Sequence, residues 1–253
     1  KKFNSLLNAE YAGFTVKALE TYCNVRAKLC VKNWQAGKEI KKQLVEIEKV
    51  IVDLKRLNEM SETAERNSLL GSAYNRKAMM SSVKKDKISA LLKAAGYYFK
   101  AKEMAGEGKN NYSLTNWLEI NNMLNLAGKL TWSKSERKGI KVPTLKSAKE
   151  SMLSIINSKS ITDNDMDFWK EVEIANACLC LWLLERKNTA DMNEKMVIDA
   201  YQKAWNFAGS LNKKIAEIEH FDFLINAWST FSTAKPQIKA ITKIRTDLKN
   251  FLK

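Results

Sequence analysis

The sequence predicts an all-α protein built from about ten helices that pair as consecutive hairpins. Only two prolines and nine glycines occur among 253 residues, so the chain has few of the signals that end helices or make tight turns. Apolar residues recur at steps of three and four over most of the chain, which is the period of an amphipathic helix. The segments between these stripes are short, and short connections are typical of antiparallel neighbouring helices.

The first half of the chain holds five predicted helices, each marked by an apolar stripe at helical spacing. Gly37 ends the first of them, because glycine readily adopts the positive φ that is common just after a helix. Ser61 is the predicted N-cap of the third, and acidic side chains follow it where they suit the helix dipole. The loop GEGKNN separates the fourth helix from the fifth. The five helices are predicted over residues 4–36, 38–58, 61–80, 84–105 and 113–130.

Five more helices are predicted after the irregular basic segment TWSKSERKGIKVP. The run IANACLCLWLLE predicts that the second of these is buried on more than one side. Asp191 and Glu194 resemble a capping box before the third, and Gly209 ends that helix. No segment is predicted to be a strand. The five helices are predicted over residues 145–157, 165–187, 192–208, 212–232 and 236–252.

Small and large residues alternate in a pattern that fits the tetratricopeptide repeat. That repeat places a large residue, Leu, a small residue and Tyr on its first helix, and Ala, an aromatic residue and Ala on its second. Gly71 occupies the small position, so we expect the helix over 84–105 to pack closely against it. Equivalent positions on successive hairpins lie farther apart along the chain than one standard repeat, so we expect elongated hairpins. The predicted packing residues are Leu70, Gly71, Tyr74, Ala94, Tyr98, Ala101, Trp117, Ala175, Tyr201 and Ala204.

These hairpins predict one helical-repeat domain, a solenoid, over residues 1–253. Residues 1–60 form its N-terminal hairpin, residues 61–209 form three repeat-like hairpins, and residues 210–253 form a C-terminal hairpin or cap. The chain lacks an initiator Met, and we therefore expect it to be part of a longer protein.

Three stretches carry a resemblance to a known family: TAERNSLLGSAYNRKAM, then AAGYYFKAKEM, then NWLEINNM. They resemble the helical-repeat region of bacterial tetratricopeptide-type proteins, which are similar to the TRAFs-binding region of apoptosis signal-regulating kinases. The later run VIDAYQKAWNFAGSLNKKIAEIEHFDFLINAW looks like the end of such a region. In bacteria these regions accompany caspase-like, CHAT-type or TIR-type effector domains. The resemblance therefore implies regulation or scaffolding through protein contacts.

The sequence offers no constellation typical of an enzyme. His220 is the only histidine, and its helical neighbours Glu219 and Asp222 do not face it, so we expect a surface or interface residue. The loop GEGKNN lacks the spacing of a phosphate-binding loop. Four cysteines without a CxxC pair are expected to be reduced and buried in a cytoplasmic protein. We therefore predict no catalytic residues, no metal site and no cofactor.

Two features remain as candidates for binding. First-helix positions that would line a repeat groove are Asn75, Arg76, Asn121, Asn122 and Asn125. The formal net charge is +15, with lysine abundant throughout, and two basic clusters are Lys134–Lys149 and the C-terminal helix, whose basic face carries Lys235, Lys239, Lys243 and Arg245. That helix would contact an acidic surface, or it would simply cover the last hairpin and show its lysines to water. Most tryptophans fit apolar stripes, with Trp132 expected to be the most exposed.

The function predicted from these features is a non-catalytic protein-interaction or regulatory module. Its partner would be another protein or an effector domain in the same chain. The alternative is a nucleic-acid-binding helical repeat that contacts phosphates through the lysine clusters, with an affinity that falls steeply as salt rises. The chain has no run long enough for a membrane span, and an exposed end hairpin makes a dimer plausible.

Overall fold

The computed structural model describes residues 15–106, 108–132, 136–137, 140–141, 143–158, 167–190, 192–231 and 235–252. Within these ranges the regular structure is helical, apart from one β-hairpin whose strands have two residues each. This confirms the predicted all-α class. The chain divides into two compact units, Lys1–Ser113 and Leu114–Lys253, and each is described by itself. The prediction of one domain with three segments stays a prediction.

Unit 1 consists of four helices and the start of a fifth. Neighbours in sequence pack on each other from α1 to α4, and α1 also packs on α3, so two antiparallel hairpins lie side by side. The helices are α1 (Val16–Gln35), α2 (Ile40–Met60), α3 (Ala64–Met80), α4 (Lys84–Ala105) and the start of α5 (Asn111–Leu126). Residues 4–14 of the first predicted helix lie outside the described residues.

Unit 2 continues from α5 into the second half of the chain. Two-residue strands β1 (Glu136–Arg137) and β2 (Ile140–Lys141) pair antiparallel within the basic segment, where no strand was predicted. Helix α6 packs on α7, α7 on α8, and α10 on both α8 and α9. The helices are α6 (Leu145–Asn157), α7 (Phe168–Glu185), α8 (Glu194–Asn206), α9 (Leu211–Trp228) and α10 (Lys235–Asn250).

Two predicted helix starts were wrong by two residues. Ser61 closes α2, and Thr63 is the N-cap of α3, where its hydroxyl accepts a hydrogen bond from the backbone N–H of Arg66 at 3.1 Å. Asn193 is the N-cap of α8 and accepts from the N–H of Met196, while Asp191 lies outside the described residues. In both loops more than one residue can cap, and the exact start depends on where the preceding segment ends.

The core of unit 2 is built around α7. Its buried residues face every side of the helix, which confirms the prediction from its apolar run, and they include Val172, Ala175, Leu179, Leu181, Trp182 and Leu184. The four cysteines are free and buried. Among the described residues, no helix is both long enough and apolar enough to cross a bilayer.

Candidate functional site

Gly71 lies where α3 meets α4. A Cβ atom added to Gly71 would come within 2.9 Å of two ring carbons of Tyr98. Tyr98 is only 1 % exposed, and its hydroxyl lies 3.4 Å from Asn75 Nδ2 and 3.4 Å from the Tyr112 hydroxyl. The ring is therefore held in place directly over the backbone of α3. This contact explains why the interior of α3 accepts a glycine that costs helix stability.

The other predicted packing residues lie in the interior of their units. Leu70, Gly71, Tyr74, Ala94, Tyr98 and Ala101 are buried in unit 1. Trp117, Ala175, Tyr201 and Ala204 are buried in unit 2. Their positions match what the repeat spacing requires of small and large residues, although their role in a repeat superhelix stays a prediction.

Three of the predicted partner-binding asparagines are interior residues, which corrects the expectation that they line a groove. Asn75, Asn121 and Asn122 are all buried, and Asn122 donates a hydrogen bond to the carbonyl oxygen of Leu183 at 3.0 Å. Asn125 is half-buried and accepts from Arg186 at 2.6 Å. Sequence spacing placed them on helix faces but could not show which faces the neighbouring helices cover.

Arg76 remains accessible at the surface of unit 1. It is half-buried, and its guanidinium donates a hydrogen bond to the hydroxyl of Ser72 one turn earlier on α3. Its role as a contact for a partner stays a prediction.

An open groove in unit 1 was not predicted. It has a volume of about 930 Å³ and runs between α2 and α4 over the end of α3. Leu44, Val45 and Val52 give its α2 wall an apolar strip, and Val52 is 44 % exposed. Residues from four helices line it, so no single stretch of sequence signals it.

The groove walls carry a network of ion pairs. Arg26 pairs with Glu46 and with Asp53, the latter at 3.2 Å. The Arg26 guanidinium holds the pKa of the Glu46 carboxyl below its ordinary value through their hydrogen bond, although burial opposes this. Lys77 pairs with Glu48 across α2 and α3. These pairs fix the long side chains of the walls, so the groove is a preformed surface with both signs of charge.

A cluster of two tyrosines and two lysines lies on α2, α3 and α4, three of the helices that line the groove. The rings of Tyr74 and Tyr97 stack with centroids 5.6 Å apart and planes 11° apart. The ammonium groups of Lys55 and Lys93 lie 5.9 Å and 5.5 Å from the Tyr74 centroid. A hydrogen bond with Tyr74 raises the pKa of Lys55 above its ordinary value, against the effect of burial, so this lysine is charged at neutral pH.

Unit 2 contains a largely buried polar network around His220. The imidazole Nε2 lies 3.2 Å from Oε2 of Glu119, a carboxylate that is fully buried on α5. Burial by itself lowers the pKa of His220, but the facing carboxylates Glu119 and Glu217 outweigh it and leave that pKa above 6.5. His220 is half-buried on α9, and its charge partner Glu119 lies on α5.

Glu217 belongs to the same network. Burial is the largest influence on its carboxyl and raises the pKa from 4.5 to about 7, while His220 and a hydrogen bond with Asn176 oppose the rise. Tyr201 donates its hydroxyl hydrogen to Asn176 Oδ1. The network joins side chains from α5, α7, α8 and α9, and within it Glu119 Oε2 is buried without a hydrogen bond, although the His220 ring lies 3.2 Å away.

Metal ligands and reactive thiols are the next features to consider among the described residues. Among the described parts of the chain, no cluster of three or more His, Cys, Asp or Glu side chains has the arrangement of a metal site. Burial raises the pKa of Cys23 to about 12 and that of Cys178 to about 11. These thiols therefore stay protonated at neutral pH and are poor nucleophiles.

The C-terminal helix packs on its neighbours. Coverage of the last hairpin was one of the two alternatives predicted from its sequence. Ile241, Ile244 and Leu248 of α10 are buried, against α8 and α9. On the basic face, Lys243 pairs with Glu194 at 2.9 Å and Arg245 pairs with Asp222. Lys235 and Lys239 are exposed.

The tryptophan expected to be most exposed was Trp132, but it is half-buried. Trp169 at the start of α7 is 53 % exposed, with the ammonium of Lys213 at 5.7 Å from its ring. Its position in the first turn of a helix that is otherwise buried explains why the apolar pattern suggested a core residue.

Comparison with known families gives one match. Residues 2–124 match the family described as Tetratricopeptide Repeats-Sensor. Neither the curated proteins nor the solved structures include a match to this chain. The matched region contains Gly71, Tyr98 and the groove. The finer resemblance to the TRAFs-binding region of apoptosis signal-regulating kinases stays a prediction. Over residues 2–124 the chain is thus similar to tetratricopeptide-type repeats.

Proposed function

We propose that this chain is a non-catalytic protein-interaction module and that the groove between α2 and α4 is its contact surface. The groove itself is the observation that supports this most directly. It combines an exposed apolar strip with walls whose charges are already held by ion pairs. Apolar contacts give affinity at protein interfaces, and fixed charges around them give specificity.

The family match supports the same reading. Tetratricopeptide-type repeats generally mediate contacts between proteins, and the match covers all the residues that line the groove. We further propose that the module belongs to a longer protein and regulates an effector domain in it. Such a domain would then be one of the partners that the groove selects.

Photo-crosslinking from single positions tests this proposal. A photoreactive amino acid is placed at Val52, inside the groove, or at Val25, which is 56 % exposed on α1 and does not line the groove. In the native cell, position 52 should give a discrete crosslinked protein band that resists nuclease, and position 25 should not. Equal band patterns from the two positions, or a product that nuclease digests, would contradict the proposal.

A further inference from the structure

Lys55 and Lys93 approach the same tyrosine ring from different helices. Their ammonium groups lie 5.9 Å and 5.5 Å from the centroid of Tyr74. Tyr97 stacks on that ring, and Tyr74 itself is buried. Each cation–π contact is favourable because the face of the ring is electronegative. Two like charges that share one ring also repel each other, so the cluster is electrostatically incomplete.

The other cations of the groove region are neutralised. Arg26, Lys49, Arg56 and Lys77, which line the groove, each lie within ion-pair distance of a carboxylate. Among the described residues, Lys55 and Lys93 have no such carboxylate. Glu48 acts on Lys55 from a distance but is already paired with Lys77. Lys55 and Lys93 lie on two of the helices that line the groove, and they carry positive charges that no described carboxylate pairs with.

Helix geometry places the cluster at one end of the groove. Lys55 lies three residues after Val52 on α2, and Lys93 lies four residues after Ser89 on α4, so each shares a helix face with a groove residue. Tyr74 lies one turn before Lys77 on α3. From Val45 to Lys55 the distance along α2 is about 15 Å, which an extended segment of about five residues spans.

We propose that the Lys55–Tyr74–Lys93 cluster binds the carboxylate side chains of an acidic partner segment whose apolar residues lie on Val45. This inference rests on the proposed function of the groove. The partner segment carries apolar residues followed, after about four or five extended positions, by adjacent acidic residues. A carboxylate between the two ammonium groups removes their mutual repulsion and gains a charge-assisted hydrogen bond.

Designed peptides test the inference directly. The first probe is a fluorescein-labelled octapeptide with two leucines, four serines and two glutamates, and the second has two glutamines in place of the glutamates. Binding to the full chain is measured by fluorescence anisotropy. The glutamate probe should bind at least tenfold more tightly than the glutamine probe. Equal affinities, or no measurable binding of the glutamate probe, would overturn the inference.

Matched variants separate this cluster from the general positive charge of the protein. The double variant Lys55→Gln/Lys93→Gln should lose at least tenfold in affinity for the glutamate probe. The control Lys28→Gln/Lys32→Gln removes two exposed charges from α1 and should change the affinity less than twofold. Equal losses in both variants would show general attraction and contradict the cluster. Circular dichroism of both variants verifies that they are folded.

The outcome also separates this inference from the proposed function. If the glutamate probe does not distinguish the variants while crosslinking from Val52 still captures a protein, the groove is a contact surface and its preference for acidic segments is wrong. If Val52 captures nothing, the proposed function itself fails. The affinity for a single-stranded oligonucleotide is measured with the same variants. If the loss of both lysines weakens oligonucleotide binding more than it weakens binding of the glutamate probe, the proposal of an acidic protein segment is overturned.

Discussion

The packing of α3 on α4 can be tested by adding one methyl group at Gly71. In Gly71→Ala the new Cβ would lie 2.9 Å from the ring of Tyr98, whereas ordinary contacts begin near 3.4 Å. The ring or the helix must therefore move by about half an ångström. Tyr98 cannot move freely because it is buried and its hydroxyl contacts Asn75 and Tyr112.

Two opposing effects decide the magnitude. Overpacking in a dense core costs about 1–3 kcal/mol, and replacing glycine by alanine inside a helix regains up to about 1 kcal/mol. We expect Gly71→Ala to lower the free energy of unfolding by roughly 1 kcal/mol, the middle of that balance. Gly71→Leu adds three more carbons at the same contact and should cost several kcal/mol.

Gly96 provides the matched control for this experiment. It lies inside α4, and a Cβ added there meets nothing within 4 Å. Gly96→Ala should therefore raise the free energy of unfolding by about 0.5–1 kcal/mol through helix propensity alone. Urea unfolding followed by far-UV circular dichroism measures both variants. If Gly71→Ala stabilises the protein as much as Gly96→Ala does, the close-packing argument is refuted.

Three further predictions follow from unit 2 and the cysteines. The folded state holds protons on Glu217, with a pKa of about 7, and on His220, with a pKa above 6.5, to higher pH than the unfolded state does. The unfolding free energy should thus fall between pH 5 and pH 8, by roughly 3 kcal/mol from Glu217. Glu217→Gln should flatten this slope in urea titrations followed by tryptophan fluorescence, and an unchanged slope would count against the buried network. Removing the N-cap of α8 with Asn193→Ala should cost about 1 kcal/mol, whereas Lys195→Ala on the same turn should change stability by less than half as much. Iodoacetamide should label Cys23 and Cys178 only after denaturation, because both thiols are buried and protonated; rapid labelling of the native protein in mass spectra would disprove this.

The helices were predictable because each one carries its own signal. A stripe such as that of α2, with Ile47, Val50 and Leu54 buried, can be recognised without knowing what packs on it. The hairpin β1–β2 could not be found in this way, since two-residue strands leave no periodic pattern. The N-caps were missed because Ser61 and Thr63 are both good caps, and the choice between them depends on the end of α2.

The candidate site was much less predictable, since it depends on which faces meet. Asn121 reads as a polar surface residue, yet the structure buries it completely. No residue near His220 in the sequence indicates its contact, because its partner Glu119 is 101 residues away. Likewise Lys55, Tyr74 and Lys93 lie on three different helices. The contact at Gly71 could be predicted, because a glycine inside a helix is costly and the sequence after it carries the pattern of a second repeat helix.

Paired affinity purifications test most directly whether the groove between α2 and α4 is a surface for a protein partner. The protein is purified from its native cell, with and without nuclease, as wild type, as Val52→Arg and as the control Val25→Arg. We expect one protein partner to co-purify after nuclease treatment with the wild type and with Val25→Arg, and to be lost with Val52→Arg. Retention of the same partner by Val52→Arg, or recovery only of nucleic acid that salt removes, would contradict it.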